Sequence, residues 1–156
     1  MPLDLAAATD FERAVLANVA RIGRGYARPY DLLAHELHEP ADTPAIASIL
    51  ADNPVPLLVP CHRVIHAERC CGSDYIFGAP AQRQLLESEG LDPAAIDRVT
   101  GRGFRYIGSA DGYFCLPTCG DIAKRVDDPG YMGLHSLAEA RARGFHACDS
   151  CRPIAA

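Results

Sequence analysis

Apolar residues recur at helical spacing through the first third of the chain. Phe11, Val15, Leu16, Val19 and Ile22 lie three or four apart, and Thr9 with Glu12 forms a capping box ahead of them, so the pattern predicts a helix over about 10–21. Arg24 and Gly25 make a short connection to Pro29. Pro29 suits the first turn of a second helix that carries Leu32, Leu33 and Leu37 to about His38, where Pro40 stops it. Thr43-Pro44 is an N-cap and first-turn pair for a third helix with Ile46, Ile49 and Leu50 on one face. Two short helices joined by a tight turn form a helix-turn-helix pattern.

The pattern then changes. Pro54, Pro56 and Pro60 interrupt the apolar run Val55 to Val59, which is too rich in proline for a central strand and is expected to be a buried extended segment. Residues 66–78 read as a loop or wing punctuated by Gly72 and Gly78. Gln82 to Glu89 reads as a helix ending at Gly90, and Asp92-Pro93 opens a short one. Thr100 to Gly103 marks a boundary. Beyond it, Phe104 to Ile107 and Tyr113 to Cys115 are predicted strands around a turn at Ser109 to Gly112, and Ser136 to Glu139 is a capping box for a helix that ends at Gly144. The expected fold class is a mainly α winged-helix or helix-turn-helix domain over 11–99, after an N-terminal tail (1–10), followed by a small α+β domain over 100–156.

Composition narrows this picture. With 49% hydrophobic residues in 156, the chain can build a core. No apolar run approaches the roughly 20 residues of a membrane span, and Met1 to Asp10 lacks the basic region of a signal peptide. A cytoplasmic, monomeric protein with no membrane partner is expected. The net charge of −5 counts against nucleic-acid binding by bulk charge, so any DNA contact must be local. The seven cysteines are an odd number, and four of them form the pairs Cys115-x-x-x-Cys119 and Cys148-x-x-Cys151. That spacing favours a metal over a disulfide framework. Tetrahedral zinc is the natural occupant, and an iron–sulfur cluster is a weaker rival.

Cys61 stands apart from that set. A thiol attacks as thiolate and needs a base or a cation beside it, and His62 and Arg63 follow directly. Taken alone, the tetrapeptide Pro60-Cys61-His62-Arg63 fits a buried structural cysteine equally well. Its surroundings add more. The segment Asn53-Pro54-Val55-Pro56-Leu57-Leu58-Val59-Pro60-Cys61-His62-Arg63-Val64-Ile65 resembles the signature of the O6-alkylguanine–DNA alkyltransferases. Ile22 to Ala34 is similar to the start of their helix-turn-helix, and Leu85 to Gly90 to their closing helix. The resemblance covers about 11–90.

That resemblance implies minor-groove binding of alkylated DNA and a flipped guanine. It implies irreversible transfer of the alkyl group to Cys61. His62, through a water held with Glu89, would remove the thiol proton, Asn53 would brace the reactive segment, and Tyr30 would press on the phosphate of the flipped nucleotide. Arg63 and the helix residues Pro44, Ala45, Ala47 and Ser48 would lie toward the substrate. Pro44 departs from the family, which carries there an arginine that fills the gap left by the base. Proline cannot stack or donate in its place. Asp31, Glu36, Glu39, Asp42 and Asp52 make the region acidic, and Cys70 and Cys71 read as incidental.

A second resemblance lies in Gly112 to Cys119 and Gly144 to Pro153, which look like the zinc domain of the Ada proteins. It implies a structural Zn2+ held by Cys115, Cys119, Cys148 and Cys151, with Cys115 also accepting methyl groups from methylphosphotriesters. The expected function is stoichiometric DNA alkylation repair. The alternative is an alkylated-DNA recognition or regulatory protein that does not repair, and a third reading is a zinc-stapled interaction protein.

Overall fold

The computed structural model describes residues 8–38 and 43–154. Helix α1 spans Asp10–Ala20. Its capping box is formed as expected: Thr9 Oγ1 accepts from the Glu12 N–H, and the Glu12 carboxylate accepts from the Thr9 N–H. Val15, Leu16 and Val19 face inward. Strand β1 (Arg28–Pro29) leads into α2 (Tyr30–Glu36), so Pro29 caps the helix from outside instead of occupying its first turn. The helix ends two residues before the expected His38, and the proposed stop at Pro40 lies outside the described residues. Helix α3 spans Thr43–Ala51 with Ile46 and Leu50 buried. Thr43 is its first described residue, and the residue before it lies outside the described residues.

These three helices close around one apolar cluster that includes Val15, Val19, Leu33, Ile46 and Leu50, and Cys61 and Val64 join it. The segment Val55 to Val59 corrects the sequence expectation. It is a turn, with the N–H groups of Leu58 and Val59 both donating to the Val55 carbonyl, and Leu57 and Leu58 are each 70% exposed. Proline at 54 and 56 denies the segment a strand partner, so the amides of Val55, Leu58 and Val59 are satisfied locally and the leucines point outward.

A 3-10 turn at Cys61–Arg63 feeds β2 (Val64–Ile65), which pairs in parallel with β1. Helix α4 spans Gly78–Ser88, four residues earlier than expected at its start. Pro80 is tolerated there because first-turn amides have no intrahelical partner. Helix α5 (Pro93–Gly101) is capped by Asp92, whose carboxylate accepts from the Ala95 N–H at 2.9 Å.

A four-stranded sheet follows, ordered β5-β3-β4-β6, from β3 (Tyr106–Ser109), β4 (Tyr113–Cys115), β5 (Tyr131–Leu134) and β6 (His146–Ala147). β3 begins two residues later than predicted, because Phe104 folds across Gly133 instead of entering the ladder. Helix α6 (Leu137–Ala142) is capped by Ser136, while Glu139 reaches back to the N–H of His135. One apolar cluster takes residues from both sides of position 100, including Ala27, Ile65, Leu86, Ile96, Ile107 and Val126. Among the described residues no helix is long and apolar enough to cross a membrane.

Candidate active site and cysteine cluster

The turn after α3 is built around Asn53. Its side-chain amide donates to the Val59 carbonyl at 2.9 Å, and its Oδ1 accepts from the Val55 N–H at 3.0 Å. One buried side chain therefore closes the loop that ends at Cys61. The Cys61 N–H donates to the Val59 carbonyl at 2.7 Å, and Sγ lies 3.9 Å from the Pro56 carbonyl. Burial pushes the Cys61 thiol up, while hydrogen bonds from Asn53 and from the backbone N–H groups of Cys61 and His62 act in the opposite direction. A thiol held up in this way needs a base to become a nucleophile near neutral pH.

His62 is 3% exposed. Its Nε2 lies 2.9 Å from Oε1 of Glu89, so the two residues expected to act together are in direct contact. Its Nδ1 is buried and takes no hydrogen bond from any described group. Arg63 grips the same carboxylate with two bonds, Nε to Oε2 at 2.9 Å and Nη2 to Oε1 at 2.7 Å, and its Nη1 donates to the Ile22 carbonyl at 2.6 Å. Burial acts to raise the Glu89 carboxyl, but hydrogen bonds from Arg63 and His62, together with their charges, outweigh it and hold the carboxyl below its ordinary range. Three of the N–H donors of Arg63 go to Glu89 and Ile22, so in this structure it braces the turn from within. Gln82, which the sequence reading passed over, holds the turn from the other side. It donates to the carbonyls of His62 and Val64 at 3.1 and 3.0 Å and accepts from the Gly72 N–H. Its signal was a polar residue at helical spacing from Leu86, on the buried face of α4.

Tyr30, the first residue of α2, is buried with its ring 5.1 Å from His66, which is paired with Asp74. Burial first, and then the nearby Asp74 and Cys61, push its hydroxyl well above the ordinary phenol range, so it remains protonated. An apolar groove of about 520 Å3 opens beside Pro56, lined by Leu57, Leu58, Tyr75, Phe77 and Leu85. On α3, Pro44 and Ser48 are exposed, Ala45 is half-buried, and Ala47 packs against the core.

The second cluster is assembled by the sheet. β4 delivers Cys115, a turn returns Cys119, and the segment after β6 supplies Cys148 and Cys151. The four sulfurs lie within 4.8 Å of one another. Tetrahedral zinc with bonds of about 2.3 Å needs sulfurs roughly 3.8 Å apart, so the set fits with small adjustment. Sγ of Cys151 accepts from the Leu116 N–H at 3.4 Å. Hydrogen bonds from Cys115 and then Cys151 hold the Cys119 thiol below its ordinary range, whereas the same close contacts and burial push Cys115 up. Cys115 and Cys151 are buried, and Cys119 and Cys148 are half-buried.

The family described as 6-O-methylguanine DNA methyltransferase, DNA binding domain, matches residues 10–91. A methylated-DNA–protein-cysteine methyltransferase of Methanothermobacter thermautotrophicus is 36% identical over 89 residues, covering 57% of this chain and 49% of that protein. The bifunctional transcriptional activator and DNA repair enzyme Ada of Escherichia coli is 33% identical over 89 residues, covering 57% of this chain and 25% of that protein. The crystal structure of the O6-methylguanine-DNA methyltransferase of Pyrococcus kodakaraensis superposes with a TM-score of 0.50 at 30% identity, covering 56% of this chain and 50% of that one. The chain spans about half the length of the curated relatives it matches.

Proposed function

Because the chain belongs to the family of the 6-O-methylguanine DNA methyltransferase DNA-binding domain, we propose that it removes alkyl groups from O6 of guanine in DNA by transferring them to Cys61. The observation that carries this reading is the chain of contacts behind the thiol. Cys61 is held in a turn closed by Asn53, and the adjacent His62 is backed by Glu89, which Arg63 clamps in its charged form.

In this reading a water carries the thiol proton to Nδ1 of His62, which bonds no described group, and Glu89 stabilises the imidazolium through Nε2. The Cys61 sulfur attacks the alkyl carbon, the C–O6 bond breaks as the S–C bond forms, and guanine leaves with its electron pair and is protonated. The thioether is stable, so each chain acts once. Tyr30, kept as a neutral hydroxyl, donates toward the flipped nucleotide, and α2 and α3 present the surface to the duplex. Pro44, Ala45 and Ser48 offer little bulk or charge there, and Ala47 supports them from beneath.

Cys115, Cys119, Cys148 and Cys151 fit Zn2+, which when bound would keep all four sulfurs as thiolates and tie the C-terminal segment together. Cys115 is as buried as Cys61, so burial does not distinguish them as acceptors; its place among four clustered sulfurs supports a structural role, and the expected methyl-acceptor role is read out on the Cys115 peptide.

Incubation with duplex DNA carrying O6-methylguanine, followed by peptide-resolved mass spectrometry, tests the proposal. The Cys61 peptide gains one methyl group, and an unmodified Cys61 after prolonged excess of substrate refutes repair by this chain. A second reading, recognition of alkylated DNA without repair, is favoured by the exposed Pro44, which cannot fill the gap left by a flipped base. In that case the same duplex is bound and no mass is gained.

A further inference from the structure

We propose that Arg28 couples the four-cysteine centre to the alkyl-transfer site, so that Cys61 reacts at full rate only when the cysteine cluster is closed around a metal ion. The inference rests on the function proposed above and concerns how that site is controlled.

Arg28 is 7% exposed, an unusual position for a guanidinium. Its donors reach in two directions. Nη1 donates to the Cys151 carbonyl at 2.6 Å and Nη2 to the Arg152 carbonyl at 3.2 Å, while Nε and Nη2 also bond the Glu36 carboxylate at the end of α2. One side chain thus touches the backbone of a candidate metal ligand and the helix that begins with Tyr30. The Arg28 backbone pairs with Val64, and Pro29 with Ile65. Val64 directly follows the turn that holds Cys61, His62 and Arg63, and Tyr30 directly follows Pro29.

The neighbouring contacts repeat the link. Thr118, buried between two of the cysteines in sequence, donates to the Ala27 carbonyl at 2.6 Å, and Tyr26 forms a β-bridge with Cys119. The carbonyls that Arg28 reads are presented by a specific turn. The Arg152 N–H donates to the Cys148 carbonyl at 2.9 Å, and Arg152 sits at φ 44°, in the left-handed region. A non-glycine residue holds that conformation where its surroundings impose it. The turn from Cys148 to Cys151 holds it, and a metal ion bound by both cysteines would lock that turn. When the turn relaxes, Arg28 keeps Glu36 and loses the carbonyls, and the β1–β2 pair loses its support on the side away from Cys61. By linkage the dependence is reciprocal: whatever weakens the Arg28 contacts also weakens metal retention.

The test uses the full chain, zinc-loaded and chelator-stripped, with metal content checked by elemental analysis, as wild type and as Arg28→Lys. Lysine keeps a charge facing Glu36 but lacks the planar fork that serves a carboxylate and two carbonyls together. Three quantities are measured: single-turnover methyl transfer to Cys61 from duplex DNA, labelling of the Cys61 peptide by iodoacetamide across pH, and zinc release to a chromogenic chelator. Stripping is expected to slow wild-type transfer about tenfold and to move the pH midpoint of Cys61 labelling, and Arg28→Lys releases zinc about tenfold faster. Zinc-loaded Arg28→Lys already reacts slowly, and stripping changes it no further. A merely structural contribution lowers the melting temperature and leaves the midpoint in place. The proposal is overturned if the purified chain retains no zinc, if stripped but folded wild type labels and transfers like the loaded protein, or if Arg28→Lys keeps the wild-type dependence on metal. A chain whose Cys61 labelling follows the metal but which takes no methyl from DNA upholds the coupling and refutes the repair function instead.

Discussion

Nε2 of His62 and Oε1 of Glu89 lie 2.9 Å apart, across 27 residues of sequence. Glu89 is the C-cap of α4, and His62 is the middle residue of the turn that carries the candidate acceptor Cys61. The contact works because Arg63 holds the same carboxylate through both of its oxygens. The charge behind the imidazole is therefore fixed in place before any proton moves.

Glu89→Gln removes that charge. Alkyl transfer to Cys61 should fall by about 10^2, the scale of a lost general-base contribution. The same variant leaves Arg63 largely buried without its counter-charge, so chemical denaturation should show a loss of about 3 kcal/mol. If both quantities stay at wild-type values, the His62–Glu89 relay is wrong.

Asn53→Ala deletes the two hydrogen bonds that close the reactive loop. A stability loss of about 2 kcal/mol is expected from the unsatisfied Val55 amide and Val59 carbonyl. Cys61 should also label faster with iodoacetamide as the loop opens. Slower transfer to DNA together with faster labelling by the small reagent would identify Asn53 as a positioning residue.

The pH response should have two parts. Because burial raises the Cys61 thiol, its labelling rate should climb with pH beyond the range where an exposed cysteine has levelled off. Glu89 has a folded pKa below its unfolded value, so its contribution to stability is present above about pH 4.3 and is lost as pH falls through the depressed value. Urea denaturation between pH 6 and pH 3, as rough bounds around that window, should show the decline in wild type and a smaller decline in Glu89→Gln.

Two glycines in the sheet make room for aromatic rings. A Cβ at Gly133 would lie 2.3 Å from the Phe104 ring, and one at Gly108 2.6 Å from the Phe145 ring. Gly133→Ala should cost about 2 kcal/mol through overpacking, measured as a shift in the denaturation midpoint. Pairing it with Phe104→Leu should recover part of the loss, since the smaller side chain relieves the contact.

Cys148→Ser removes one candidate ligand from the half-buried side of the cluster. Zinc bound per chain should fall and the melting temperature should drop, because the C-terminal segment relies on a small apolar cluster of Phe114, Leu134 and Ala140. Equal metal content in the variant and in wild type would mean that the four thiols are not the site.

Much of the molecule was readable from local signals. The capping box at Thr9, the Asp92 cap and strand β4 follow from residue type and spacing alone, since a cap or a short alternation is decided by a few neighbours. The cysteine quartet and the Cys61 segment were equally legible, because their chemistry is encoded in which residues stand together. Strands β1, β2, β5 and β6 were not legible. Each is two to four residues long and is defined by its partner, which no window of sequence contains. The outward Leu57 and Leu58 were misread for the same reason: an apolar residue reports a preference for burial, and whether a site for it exists is a property of the packed whole.

The chain by itself determined its helices, the candidate acceptor Cys61 and the four-cysteine set of its second cluster, since those depend on side-chain chemistry and short-range periodicity. Tertiary structure alone decided that Arg63 spends its charge on Glu89, that Gln82 braces His62, and that Arg28 spans the distance to Cys151. Guanidinium and amide groups taken from water must find partners wherever the fold brings acceptors within about 3 Å, and the choice among acceptors is made only when distant segments meet.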